Sequence, residues 1–510
     1  MTATAWNRRR LLVTAATATA GAAGGALLRP GASAAFVPGG RPVLTHGVQS
    51  GDAYGHAANI WTRADRPGRM LVELSRRPDF RHARTVTGPL LTSATDFTGT
   101  LRVAGLPTGS RTYYRVRVDG DHGRCSAPLV GSLRIPGRHD GVRFVWTGDI
   151  SGQGWGINPD IGGMRIFRAM RDVRPDFYLC SGDTVYADGP ITESVTLPDG
   201  RVWRNVVTEA KSKVAETLAE FRGQYAYNLL DDNLKAFAAE VPQLNQWDDH
   251  EVRNNWFPGQ IIDDPRYTVR DVDVLAARGR RAFEEWQPIT PGPIYRKIPY
   301  GPQLDVFRLD MRTYKDPNDA NRYADPARGL LGAAQREWLI RELRASRATW
   351  KVIANDLPLG LVVPDGAAAQ EGVAQGDPGA PLGRESEFAQ VLRAAHRHGV
   401  HGIVFLTADV HYTAAHHYDP ARAAIGDFSP FWEFVSGPAN AGAFGPNALD
   451  ATFGPEAVFV HAPPRANTSP LEGFQHFGEV DIDGHTRAMT VRLRDADGTV
   501  LWSITLPAAH

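Results

Sequence analysis

Five short apolar runs in this chain each end in a cluster of carboxylates and other hard donors. Phe144-Val145-Trp146 leads to Gly148-Asp149, and Phe177-Tyr178-Leu179 leads to Gly182-Asp183 and then Tyr186. Residues 241–247 lead to Asp248-Asp249-His250-Glu251. Val352-Ile353-Ala354 leads to Asn355-Asp356, and Ile403-Val404-Phe405-Leu406 leads to Asp409-Val410-His411. Asp, Asn, Tyr and His together make a donor set of oxygens with one imidazole, which suits hard cations. Taken singly, a Gly-Asp after a strand is a turn or a helix cap, and a lone His is a hydrogen-bonded residue. Massed at one edge, the same acids repel one another unless cations neutralise them. The pattern therefore points to a metal centre built from Asp149, Asp183, Tyr186, Asp249, Asp409 and His411. One of Asn355 and Asp356 joins it as a ligand, the other as a neighbour.

Such a cluster needs strands that end together. From Val142 onward the pattern is α/β. Phe144–Trp146 and Phe177–Leu179 read as buried strands, and Met164, Phe167, Met170 and Val173 mark one face of a helix between them. Ligands of open α/β sheets bind beyond the carboxyl ends of the strands, so five such ends converge on one crevice. Residues 205–240 read as a helical insertion and 385–398 as a helix. Residues 361–383, rich in Gly, Ala and Pro, read as a long loop, and loops of that length are often lids. Alternation returns in residues 478–507, as closing strands. Ahead of the α/β part, residues 41–138 read as an all-β sandwich of immunoglobulin or fibronectin type, with Pro136-Gly137-Arg138 as linker. The division expected is residues 1–34, 41–138 and 142–510.

Composition sets the bounds. In 510 residues, 42% are hydrophobic and 22% charged, an ordinary globular balance. Two cysteines, Cys125 and Cys180, cannot make a disulfide scaffold and read as separate thiols. With 56 basic and 56 acidic residues there is no basic footprint, so no stable nucleic-acid partner is expected. A nucleic acid remains possible as a diester substrate. The first 34 residues have the form of an export leader: Arg8-Arg9-Arg10, an apolar Ala- and Gly-rich run to Leu28, and Ala32-Ser33-Ala34 for cleavage. Arg8-Arg9 followed by Leu11-Leu12 resembles a twin-arginine signal, which implies the twin-arginine translocase as an export partner. No transmembrane anchor is expected after processing. The mature chain would be secreted, to the extracellular space, periplasm or cell wall.

The order of motifs resembles the calcineurin-like metallophosphoesterases, and within them the PhoD-like alkaline phosphatase and phosphodiesterase family. The matching pieces are Gly47-Val48-Gln49-Ser50-Gly51-Asp52, Trp61-Thr62-Arg63, Gly182-Asp183-x-x-Tyr186, Trp247-Asp248-Asp249-His250-Glu251, Asn355-Asp356-x-Pro358 and Asp409-Val410-His411. Asp149-Ile150-Ser151 lacks the His of the superfamily's first motif. Well-known members carry a Cys ligand after the first catalytic strand, and here Asp149 stands in that place. The resemblance implies a metallophosphoesterase four-layer β-sandwich flanked by helices, preceded by the all-β domain.

It also implies iron(III) beside calcium. Tyr186, Asp149 and His411 would hold the iron, and Asp183 would bridge. Asp249, Asp409 and Asn355 or Asp356 would offer only oxygens to the second cation, which favours calcium over zinc. The two metals would clamp a phosphate ester and make hydroxide available near neutral pH for in-line attack. His250 corresponds to the His that contacts the leaving oxygen, as general acid or stabiliser. The alternative is a His pinned by Asp248 or Glu251. Arg312, after the strand Val306–Leu309, can fork onto phosphate or close a salt bridge to Asp310 or a neighbour. Asn254 and Asn255 can orient the loop of the third motif or simply form its turn. The function implied is a secreted alkaline phosphatase and phosphodiesterase acting on small esters, phospholipid or cell-wall polyphosphodiester. A phospholipase D-type diesterase on the same fold is the alternative. A non-catalytic cell-wall binding protein is the alternative of another class.

Overall fold

The computed structural model describes residues 40–325 and 327–508, so the leader read in residues 1–34 lies outside the described part. Alternation along the strands decides the layers. In Val142–Thr147, Phe144 and Trp146 face one core with Phe177, Leu179 and Leu244, while Val145 faces the other side with Tyr178 and Cys180. A second set of strands behaves the same way. Val306, Val352, Val404 and Leu406 join the core of Phe144 and Trp146, and Phe307, Ile353 and Phe405 face away.

Two large sheets therefore share a central apolar layer. The nine-stranded sheet runs Val500–Leu506, Met489–Asp495, His476–Ile482, Val142–Thr147, Phe177–Cys180, Gln243–Asn245, Leu44–Tyr54, Ala57–Ala64, Thr98–Ala104. The seven-stranded sheet runs Arg296–Tyr300, Leu304–Arg308, Trp350–Ala354, Ile403–Thr407, Phe431–Val435, Thr413–Tyr418, Pro455–His461. Helices Ile166–Asp172, Leu218–Asn228, Asp232–Glu240 and Val272–Trp286 cover the outer face of the first sheet. Gly332–Ala345 and Glu385–Arg397 cover that of the second. This is the expected four-layer α/β architecture.

The helical stretch expected over 205–240 resolves into two helices. Thr217 and Glu220 form a capping box on the first, and the Asp231 carboxylate accepts from Leu234 N to start the second. The long loop over 361–383 carries only a short pairing of Pro364–Asp365 with Ala369–Gln370. Buried Arg384 knits it together by donating to the carbonyls of Gln370, Glu371 and Gly372. Cys125 and Cys180 are both free.

The first seven strands divide between two sheets. Four of them form a separate sheet, Arg84–Leu91, Gly68–Ser75, Arg111–Asp119, Leu129–Arg134. The other three extend the nine-stranded sheet through a parallel contact of Gly51 with Gln243. The motif around Gly47–Asp52 makes that junction. Gln49 Nε2 donates to Trp286 O, Gln243 Nε2 donates to Gln49 Oε1, and the buried Asp52 carboxylate accepts from Thr290 N and pairs with Arg308. Trp61 Nε1 donates to Glu285 O.

The central layer has no slack at Gly478, where an added Cβ would sit 2.0 Å from the Trp146 ring. Overpacking of this kind costs about 1–3 kcal/mol. Gly478→Ala is expected to lower the urea midpoint accordingly without changing the slope of unfolding, as read by fluorescence-monitored denaturation.

Candidate metal centre

The parallel strands of both sheets end on one side of the central layer, and the acids sit just past those ends. Asp149 follows Val142–Thr147, and Asp183 follows Phe177–Cys180. Asp248 and Asp249 follow Gln243–Asn245, Asn355 and Asp356 follow Trp350–Ala354, and Asp409 and His411 follow Ile403–Thr407. Asp149, Asp183, Asp409 and His411 all adopt left-handed backbone, with φ of 57°, 46°, 64° and 61°. Such residues are held against a cost of about 1–3 kcal/mol each, and they cluster where geometry is functional. Gly182 shows why the second motif begins with glycine. Its φ is +96° and an added Cβ would lie 2.3 Å from Asp248 Cβ.

Two groups of donor atoms converge within 4.8 Å of one another: Asp149 with Asp183 and His411, and Asp183 with Asp249 and His250. Asp183 belongs to both. Tyr186 Oη lies 2.9 Å from His411 Nε2. His411 Nδ1 faces the Gly442 carbonyl at 2.5 Å, so Nδ1 carries the proton and the Nε2 lone pair turns toward Tyr186 and Asp149. Burial pushes this imidazole down to about 3. It is therefore neutral, the form that ligates.

The acids are crowded and buried. Burial, reinforced by the neighbouring carboxylates, raises Asp149, Asp183, Asp248 and Asp409 well above the usual carboxylate range. For Asp248 and Asp409 the Arg312 guanidinium opposes that rise. Several buried atoms have no hydrogen-bond partner: both oxygens of Asp149, Oδ1 and Nδ2 of Asn355, Oδ1 of Asp356 and Oδ2 of Asp248. Buried polar atoms normally find partners, so orphaned oxygens past the strand ends fit the binding of cations. The donor set fits hard ions, with oxygen from carboxylate, phenol and amide and one neutral imidazole.

Arg312 requires a correction. Its side chain is fully buried and is not aimed at a phosphate. The guanidinium pairs with Asp248, Asp356 (3.1 Å) and Glu371, and lies 3.6 Å from Asp409. It sits behind the acids as their counter-ion, nearer to the salt-bridge reading than to the phosphate fork, and with more partners than a single bridge supplies. Asp310 caps its own turn, accepting from Thr313 N and from Trp247 Nε1. Asp356, engaged by Arg312, differs from Asn355, whose side chain has no protein partner.

His250 is held, but not by Asp248 or Glu251. Its Nδ1 lies 2.6 Å from Asp188 Oδ1. Burial lowers this imidazole, and the carboxylates around it, Asp188 first and then Asp249 and Asp248, outweigh that and lift the ring to about 9. Glu251 instead joins two motif loops, accepting from Asp248 N and Thr184 N. Backbone amides complete the third motif's loop. Asn254 N donates to Asp188 and Asn255 N to Asp249. Sequence reasoning misses Asp188, although it follows Tyr186 by two residues, and it misses Glu371 and Lys315, which form an ion pair beside Arg312.

A cleft of about 380 Å³ opens onto the centre. Asp183, Asp249, His250, Asp409 and His411 line its floor side. The loop over 361–383 forms a wall through Val363, Pro364, Asp365 and Glu371.

Two sheets back to back under helices, with acids gathered past converging strand ends, define the metallophosphoesterase type of fold. The chain matches the PhoD-like phosphatase family over residues 144–493 and that family's N-terminal domain over residues 31–136; it belongs to the PhoD-like phosphatases. Over 207 residues it is 31% identical to alkaline phosphatase D of Bacillus subtilis (strain 168), an alignment spanning 38% of this chain and 34% of that protein. Among solved structures, that of PhoD superposes with a TM-score of 0.69 at 20% identity, covering 92% of this chain and 91% of that one. A purple acid phosphatase from yellow lupin (Lupinus luteus) seeds gives 0.55 at 13% identity, covering 92% and 74%. At these identities both show the fold alone. Among the described residues no helix is long and apolar enough to cross a membrane.

The crowding has a pH signature. Glu251 is raised from 4.5 to about 7 and Asp356 from 3.8 to about 6. At these two carboxylates, raised chiefly by burial, the cation-free folded chain keeps protons that the unfolded chain has lost, so their contribution to stability falls as pH rises from about 4 to about 7, while neutral His411, lowered to about 3, contributes in the opposite direction up to about 6.5. Cations that bind only the folded state stabilise it by about 2.7 kcal/mol at a hundred times their Kd. Chelator-treated protein is expected to lose thermal stability across that window. Added divalent or ferric ions should flatten the profile, as read by thermal shift at several pH values.

Proposed function

We propose that this chain is an exported alkaline phosphatase and phosphodiesterase with an iron(III)–calcium pair at the strand ends. The observation that carries this reading is the division of donors around Asp183. On one side stand Asp149, Tyr186 and the unprotonated Nε2 of His411, a set suited to iron(III). On the other stand Asp249 and His250; with His250 held by Asp188, the oxygens left for a second cation are those of Asp183 and Asp249, and we propose Asp409 and Asn355 to complete them, an oxygen set as calcium prefers. Asn355, with both polar atoms free of protein partners, takes the ligand place, and Asp356 the neighbouring one. Bound there, the cations supply charge neutralisation for phosphate oxygens and an activated water.

The chain's own residues do the rest. Asp188 holds His250 by Nδ1, which keeps the imidazole protonated and leaves its Nε2 proton for the leaving oxygen. Arg312 keeps Asp248, Asp356 and Asp409 in register from behind. Eleven of the sixteen residues lining the cleft are polar or charged, which favours small esters or a polyphosphodiester over a lipid tail. Export through the twin-arginine route, with Arg8-Arg9 as its signal, completes the reading.

Protein purified from a twin-arginine-competent host is expected to contain iron and calcium and to show a broad visible band. Tyr186→Phe should abolish the band, and Asp183→Asn should cut bis-p-nitrophenyl phosphate hydrolysis at least a hundredfold. Protein without iron and without the band would exclude the tyrosinate–iron assignment; absence of hydrolysis with any metal pair would exclude the enzyme.

A further inference from the structure

The cleft contains one carboxylate that neither joins the donor groups nor pairs with a cation. Among its lining residues there is no Arg and no Lys. Asp183, Asp249 and Asp409 belong to the candidate metal centre, and Glu371 is neutralised by Arg312 and Lys315. Asp365 is different. It sits on the short pairing at the tip of the wall loop, half-buried and facing the cleft. Its Oδ1 accepts from Asn255 Nδ2 at 2.9 Å and its Oδ2 from Asn318 Nδ2 at 2.8 Å. Both donors are neutral amides, and no ion pair among the described residues includes Asp365. The two amides fix the carboxylate in place without cancelling its charge.

Beside it the lining offers an apolar stretch, Val363, Pro364, Val410 and Phe444, among the neutral amides of Gln153, Asn254, Asn255 and Asn447. A phosphomonoester carries close to two negative charges at pH 8, because its second pKa is about 6. A phosphodiester carries one, and brings a second ester group that needs a surface to lie on.

We propose that Asp365 is a specificity-determining residue, a fixed negative charge at the cleft wall that selects against dianionic monoesters in favour of diesters. This rests on the phosphoester-hydrolase reading above. Like charges repel more strongly when one of them doubles, so the discrimination is electrostatic and belongs to the substrate's charge, not its size. Through Asn255, whose backbone amide donates to Asp249, the same residue is tied to the floor of the site. A variant that merely loosened this tie would weaken every substrate together.

The test compares kcat/KM for p-nitrophenyl phosphate and bis-p-nitrophenyl phosphate at pH 8 in metal-loaded protein. Asp365→Asn and Asp365→Ser are each expected to raise the monoester-to-diester ratio at least fivefold. Asp365→Glu, which keeps the charge, should stay near the wild-type ratio. Independently of turnover, calorimetry should show inorganic phosphate binding about fivefold tighter to Asp365→Asn. The two neutral variants cover the case in which one does not fold. A ratio within twofold of wild type in both, or an equal fall in both rates, overturns the role of Asp365 while leaving the hydrolase reading intact. Wild-type protein that turns over neither ester overturns both.

Discussion

Mutual repulsion of buried carboxylates is the constraint around which this structure is arranged. Asp149, Asp183, Asp248, Asp249, Asp356 and Asp409 are all buried or nearly so past the strand ends. Two unit charges 4 Å apart interact by about 4 kcal/mol at an effective dielectric of 20. A few uncompensated pairs would equal the whole stability of a typical domain, about 5–15 kcal/mol. Compensation must therefore be part of the fold. Arg312 provides some of it from behind the site, and protons or bound cations must provide the rest. The left-handed backbone at Asp149, Asp183 and Asp409 shows that the surrounding sheets hold these acids where they would not settle alone.

That holding depends on strands far apart in sequence. The loop of Asp248 and Asp249 leaves Gln243–Asn245, a strand of three residues. On one side it pairs with Phe177–Cys180, which carries Asp183, and on the other it touches Leu44–Tyr54. The N-terminal strands thus abut the shortest member of the site's framework. Gly51 permits the approach: an added Cβ there would lie 2.5 Å from Pro288 O. Gln49 and Asp52 secure it with buried hydrogen bonds. Packing in residues 44–104 consequently bears on the position of Asp249.

The site is legible in the sequence to the extent that its residues follow buried strands. A run such as Phe144–Trp146 ending in Gly-Asp declares both the element and the acid past its end. The floor of the centre, from Asp149 to His411, is therefore readable from the order of residues alone. Which charge answers which is not. Arg312 sits two residues after Asp310, and local spacing suggests that pair, yet its partners come from Asp248, Asp356 and Glu371, between 44 and 64 residues away. Asp188 escapes notice for the opposite reason. It stands close to Tyr186 in a Gly-containing turn, where acids are common for local reasons. Its meaning emerges only once the fold brings His250 against it. The wall loop carries almost no regular pairing, so no periodicity announces that Asp365 and Glu371 face inward.

The placement of positive charge follows from the same constraint. A phosphate-ester site could set arginines in its mouth, but this cleft has none among its lining residues. Its one strongly placed guanidinium is engaged with the carboxylates behind, where the surroundings are dry and an unpaired acid is costliest. Positive charge facing the opening is then left to His250, which Asp188 holds by Nδ1, and to whatever cations the donor groups hold. A substrate anion entering such a cleft is drawn to the floor and not to the walls. The walls are free to differ in charge and polarity from loop to loop, which is where selectivity among phosphate esters can be set without disturbing the acids that the two sheets hold in place.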